Sequence, residues 1–257
     1  MYTLCGKDRI HPSTDGHLVM AYLFLKAQGL AGKPVADIRI DGAGKKVTRS
    51  DNCRVSDLSV SSDNLTFTYE AKSLPYPIDT SYYDNEKHTQ ADALSVIPFM
   101  DEMNYEGLSV SGLSDGYYGL TIGGEFIGRF TARELERGIN MALLQNTPQY
   151  KQAMKIRQMN EERWLKERKM REFYWVEYNL MRKTGMLWAC NEAAVDTLRK
   201  YRPHDIFLQW NGALWLQYMH KGIREDCVNE QQDLVNQIYE QNKPIPLQIE
   251  IKKFTDL

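Results

Sequence analysis

Apolar and polar positions recur along this chain with two different periods, and the changes of period divide it. Residues 18–25 are apolar almost all round, as in a helix flanking an α/β sheet. Ser13 or Thr14 is placed to cap it, Asp15 lies in its first turn, and Gly29 suits its end. After Gly32-Lys33-Pro34 the period falls to two. Residues 35–40 and 45–48 read as strands around an Asp41-Gly42-Ala43-Gly44 turn, and 53–60 and 65–71 as strands around Ser61-Ser62-Asp63-Asn64. In the last of these, Leu65, Phe67, Tyr69 and Ala71 alternate with Thr66, Thr68 and Glu70, which predicts a half-buried strand. Leu74-Pro75-Tyr76-Pro77 holds the chain extended. The polar loop 79–90 follows; Tyr82, Tyr83 and His88 there can face a ligand, although an ordinary surface excursion is the more economical reading. Strand pattern resumes at 108–110. Residues 117–122 and 125–130 flank Gly123-Gly124, a hairpin signal, and Thr131-Ala132-Arg133-Glu134 is a capping box for a short helix to about Arg137.

The second half has helical period. Thr147 caps and Pro148 opens a helix that can run unbroken to Gly185. One near-heptad stripe along it reads Ala153, Ile156, Asn160, Arg163, Glu167, Met170, Tyr174, Tyr178, Met181, apolar at its ends and polar in its middle. The polar middle either faces a neighbouring polar surface or is solvated, with Glu162–Lys166 and Glu167–Arg171 pairs; the solvated reading is favoured. Residues 191–201 predict a second helix stopped by Pro203. Residues 206–219 predict a buried connector with a helical turn, where Trp210 and Trp215 anchor a core rather than stack on sugar. A third helix spans 224–242 with Val228, Leu234, Val235 and Ile238 inward. Pro244 ends it, and Ile245, Leu247, Ile249 and Ile251 alternate in a last strand that completes the sheet of the middle region. The fold class is α+β.

Composition narrows the function classes. A chain of 257 residues suffices for one large or two modest domains, and a net charge of −2 argues against nucleic acid as the main partner. Cys5, Cys53, Cys190 and Cys227 are scattered without Cys-x-x-Cys spacing, so neither a zinc site nor a disulfide framework is expected. No apolar run approaches the ~18 residues of a membrane-spanning helix.

The candidate chemistry lies at Asp8-Arg9-Ile10-His11. A carboxylate three residues before an imidazole can share a tight loop with it. It accepts a hydrogen bond from one ring nitrogen and leaves the other free to take a proton from a nucleophile. Pro12 stiffens the chain beyond. His17 reads as structural, and His11 with His17 lacks the further ligands of a metal site. Ser109, Ser111 and Ser114 fall in a strand and turn without the context of an activated nucleophile.

The run Asp8-Arg9-Ile10-His11-Pro12-Ser13-Thr14-Asp15-Gly16-His17-Leu18-Val19-Met20-Ala21 closely resembles the last conserved block of the SGNH (GDSL-type) esterases. A second likeness covers roughly 36–150. There Gly112-Leu113 with Gly116 and Tyr118, the hairpin, Phe130-Thr131 with Glu134-Leu135, and Gly138-Ile139-Asn140-Met141-Ala142 resemble the β-rich segment after that block in bacterial members. The resemblance implies His11 as general base, Asp8 as its orienting carboxylate, an acyl or acetyl ester substrate (carbohydrate esters included) and no cofactor. The family's serine lies in an upstream Gly-Asp-Ser, which this sequence lacks. The chain is therefore expected to be the C-terminal part of such an esterase, inactive alone; its compartment stays open, export being an expectation for the parent enzyme only. Its expected layout is a remnant of the hydrolase domain at 1–30, a small antiparallel β accessory domain at 31–145, and a long-helix region at 146–257 whose terminal strand returns to the β domain. The competing expectation is a non-catalytic accessory, glycan-binding or interaction module. In either case the 14–30 helix is the expected contact, docking on the missing domain or forming a homodimer.

Overall fold

The computed structural model describes residues 3–6, 8–81 and 88–254, so Tyr82 and Tyr83 lie outside the described residues. The fold is mixed α+β and divides into two compact units, Met1–Met154 with Asn242–Leu257, and Lys155–Gln241.

The first unit is built on two sheets. One has the order β2-β1-β5-β8, with β1 Ala36–Asp41, β2 Lys46–Asp51, β5 Glu106–Ser111 and β8 Ile139–Asn140. The other has the order β3-β4-β9-β6-β7, with β3 Cys53–Val60, β4 Asn64–Ala71, β6 Tyr117–Ile122, β7 Glu125–Thr131 and β9 Leu247–Lys253. Period-two alternation makes the core. Ile38, Ile40, Leu108 and Val110 come from the first sheet, and Leu65, Phe67, Tyr69, Leu120, Ile122, Ile249 and Ile251 from the second. Each such side chain contributes roughly 1.5–3 kcal/mol on burial. All pairs are antiparallel except β1 with β5, where Ile38 lies opposite Leu108 in parallel register. The last strand takes a central place, with Phe67 opposite Ile249 on one side and Leu120 opposite Ile251 on the other, so the chain's end completes the sheet as its alternation predicted.

The turn chemistry holds as well. Gly123 and Gly124 both have positive φ, 59° and 83°, the backbone a tight hairpin needs. Glu134 N–H donates to Thr131 Oγ1 at the start of α3 (Ala132–Arg137), and Thr131 N–H donates back to Glu134 Oε2. Helix α1, Thr14–Ala27, ends in a Schellman motif, with Gly29 at φ +73°, Leu30 N–H on Leu25 O and Gly29 N–H on Lys26 O. Its Leu18, Val19 and Tyr22 pack with Ile78, Ala93, Ile97, Phe99 and Met100. These partners lie on or beside a 3-10 turn at Gln90–Ser95 and the one-turn α2, Phe99–Glu102, neither of which has a periodic signature. The opposite face, Met20, Leu23 and Phe24, is exposed.

The second unit is helical. Helix α4, Pro148–Val176, passes into a π turn at Glu177–Met181, so the predicted unbroken α-helix to Gly185 is interrupted; Gly185, at φ +73°, marks the chain's turn. Its stripe also needs correction. Met170 and Met181 are buried, but Tyr174 and Tyr178 are exposed, and Phe173, Val176 and Leu180 take the inward places. Steps of four residues turn through ~400°, so the stripe drifts about 40° per step off the buried face. The polar middle carries the expected pairs, Lys166 with Glu162 at 3.8 Å and Arg171 with Glu167 at 3.2 Å. Beyond α5, Glu192–Tyr201, residues 206–218 form a full helix, α6 (Ile206–Tyr218), rather than a connector. Gly212 sits within it, with Arg202 and Leu198 pressing close where a Cβ would be, so it marks close packing. Trp215 is fully buried, whereas Trp210 is 66% exposed, outside that core, with its ring edge-on to Phe207 at 5.5 Å. In α7, Lys221–Gln241, Leu234 and Cys227 are buried, Val235 and Ile238 are half-buried, and Val228 faces out.

Candidate active-site loop

The loop at residues 4–13 is cinched at its base by the chain itself. Ser13 N–H donates to Leu4 O at 3.0 Å, Gly6 N–H to His11 O at 2.8 Å, and Arg9 N–H to Gly6 O at 3.0 Å. At its tip Asp8 does two things. Its Oδ1 accepts the backbone N–H groups of Ile10 and His11, both at 3.0 Å, the local turn that Asp side chains form readily. Its Oδ2 lies 2.6 Å from His11 Nδ1. Between them Arg9 adopts φ +61°, a left-handed conformation uncommon for a side-chain-bearing residue. The carboxylate and imidazole predicted from their spacing are thus in direct contact.

The bond from His11, followed by those from the Ile10 and His11 amides, lowers the Asp8 carboxyl from 3.8 to about 2. Asp8 is therefore ionised at neutral pH. With the Nδ1 hydrogen engaged by Asp8, Nε2 is the free basic nitrogen. The His11 side chain is 82% exposed, so a reacting group can reach it.

Helix α1 buttresses the loop from below. Ser13 precedes its first turn but makes no side-chain cap bond; its hydroxyl donates to Leu4 O and to Asp15 Oδ1 instead. Asp15, expected only as a charge near the helix dipole, is fully buried and also accepts from Gly16 N–H. Gly16 lies directly under Leu4 O, where a Cβ would collide. The contacts of Asp15 and Gly16 with the loop are not legible in the sequence, which shows a favourable first turn but not what that turn touches.

The other candidates sit apart from this chemistry. His17 is exposed on the first turn of α1, and His88 Nδ1 lies 3.9 Å from Asp92 Oδ2. Ser111 donates to Ile40 O on the neighbouring strand, and Ser114 accepts from Lys253. Arg163 donates to Asn160 within α4. Among the described residues no group of His, Cys, Asp or Glu is placed to hold a metal ion, and no helix is long and apolar enough to cross a membrane.

Comparison with known proteins bears on both units. The diltiazem deacetylase C-terminal helical domain family matches residues 154–243, the limits of the second unit to within two residues. No curated protein matches the chain. Among solved structures, a gut microbial diltiazem-metabolizing enzyme is similar at 40% identity with a TM-score of 0.92, over 98% of this chain and 57% of that one. The chain thus spans somewhat more than half the length of the enzyme it resembles.

Proposed function

We propose that this chain supplies the histidine–aspartate half of an ester hydrolase of SGNH type, acting with a serine from outside these 257 residues. The observation that carries the reading is the 2.6 Å contact between Asp8 and His11 in a cinched, exposed loop. His11 Nε2 takes the serine proton as the hydroxyl attacks the ester carbonyl and returns it to the leaving alkoxide; Asp8 orients the ring and stabilises it while charged. The deacetylase named in the matched family favours an acetyl ester as substrate, with carbohydrate acetates among those to be tried. The test is a chromogenic acetyl ester given to a polypeptide that joins this chain to a Gly-Asp-Ser-bearing segment. His11→Ala should abolish turnover, and Asp8→Asn should lower kcat by roughly 10³–10⁴-fold. Undiminished turnover in His11→Ala refutes the assignment.

On this reading the serine-bearing part covers Met20, Leu23 and Phe24 of α1. The same exposed apolar face favours a second reading, a non-catalytic interaction module in which another copy of the chain provides the cover. Light scattering separates the two: a clean monomer counts against the module.

A further inference from the structure

The second unit contains an open cavity of about 370 Å³, at the small end of the ~300–1,000 Å³ range of ligand sites. The π turn at Glu177–Met181 helps to build it, and π turns are frequent at functional sites. Trp175, Leu180, Tyr201 and Leu208 give it apolar walls, and the Trp175 ring is backed by Phe207 at 5.2 Å between centroids.

The polar groups in its lining divide into committed and uncommitted. Asn179 donates to Trp175 O, and Thr184 donates to Leu180 O. Asp205 accepts the Phe207 and Leu208 N–H groups at the start of α6, where the helix dipole offsets its charge. Among the described residues the side chains of Lys183 and His204 make no hydrogen bond or ion pair. Lys200 lies over the Tyr201 ring and Arg202 is bound to Gln209 O, so the flank of the cavity is basic.

We propose that this cavity binds a small amphiphilic carboxylate, its flat apolar body against Trp175 and Tyr201 and its anionic end on Lys183 and His204. The site is made from residues of the second unit alone and does not rest on the Asp8–His11 assignment. Isothermal titration of the full chain with 3-phenylpropanoate, and in parallel with the neutral 3-phenylpropanamide, tests it. For a ligand of this size a Kd of about 0.1–1 mM is expected for the carboxylate, with the amide at least about fivefold weaker. Lys183→Met should weaken the carboxylate and so narrow its lead over the amide at least about twofold, and Tyr201→Ala should weaken both ligands. No saturable heat at 10-fold above that range, equal affinity for acid and amide, or an unaltered preference in Lys183→Met would each overturn the proposal.

Discussion

Glu106 is a buried carboxyl group with one oxygen over-supplied and the other bare. Its Oε1 accepts from Tyr69 OH at 2.8 Å and from Gln149 Nε2 at 3.1 Å, while its Oε2 and the Oε1 of Gln149 have no partner among the described residues. Both bare atoms are acceptors when the carboxyl is ionised. A proton on Glu106 turns one of them into a donor, and full burial raises the group from 4.5 to about 7. Between these values the folded chain holds a proton that the unfolded chain has lost. Stability therefore falls as pH rises from about 4.5 to about 7, by about 3 kcal/mol, and this contribution is level above. Glu106→Gln keeps both hydrogen bonds to Oε1 and adds a permanent donor. Urea midpoints between pH 4.5 and 8 should show wild type losing stability relative to Glu106→Gln as pH rises. A constant difference across that range would mean that Glu106 is ionised in the fold.

Elements were legible in the sequence where a local rule decided them. The alternation of Leu65, Phe67 and Tyr69, the Gly123-Gly124 turn, the Thr131–Glu134 box and Gly29 all encode their structure within a few residues. The Asp8–His11 contact belongs with these, since three residues of spacing and a turn suffice. What could not be read depends on distant partners. The reason for Gly212 within α6 shows only when Arg202 and Leu198 are seen against it. Trp210 and Trp215 are alike in sequence, yet only Trp215 meets Glu177 and the core around it. The seating of α1 under the Asp8–His11 loop is of the same kind and gives a prediction. Gly16→Ala forces its methyl group into Leu4 O, which the Ser13 amide holds in place. Overpacking of this sort costs roughly 1–3 kcal/mol and must move either the helix or the loop. Turnover in the joined polypeptide should fall well beyond the loss of stability. Equal activity with an unchanged melting temperature would show that the loop is not seated on the helix.

At the scale of the whole molecule the two units each have a core of their own, and the distribution of tryptophan makes them separately observable. All five Trp residues, Trp164, Trp175, Trp188, Trp210 and Trp215, fall within Lys155–Gln241. Glu177 is the buried polar centre of that unit. Its Oε1 accepts from Trp215 Nε1 and its Oε2 from the Trp188 amide, both at 2.8 Å, holding Trp188 at φ +64°. Glu177→Ala strands both donors and releases the strained backbone, a loss of about 2–4 kcal/mol. If the units unfold separately, the midpoint read by tryptophan fluorescence drops. Hydrogen-exchange protection of Phe67 and Ile249, in the five-stranded sheet of the other unit, then stays at its wild-type level. A parallel loss of protection at Phe67 and Ile249 would show that the two cores unfold as one cooperative body.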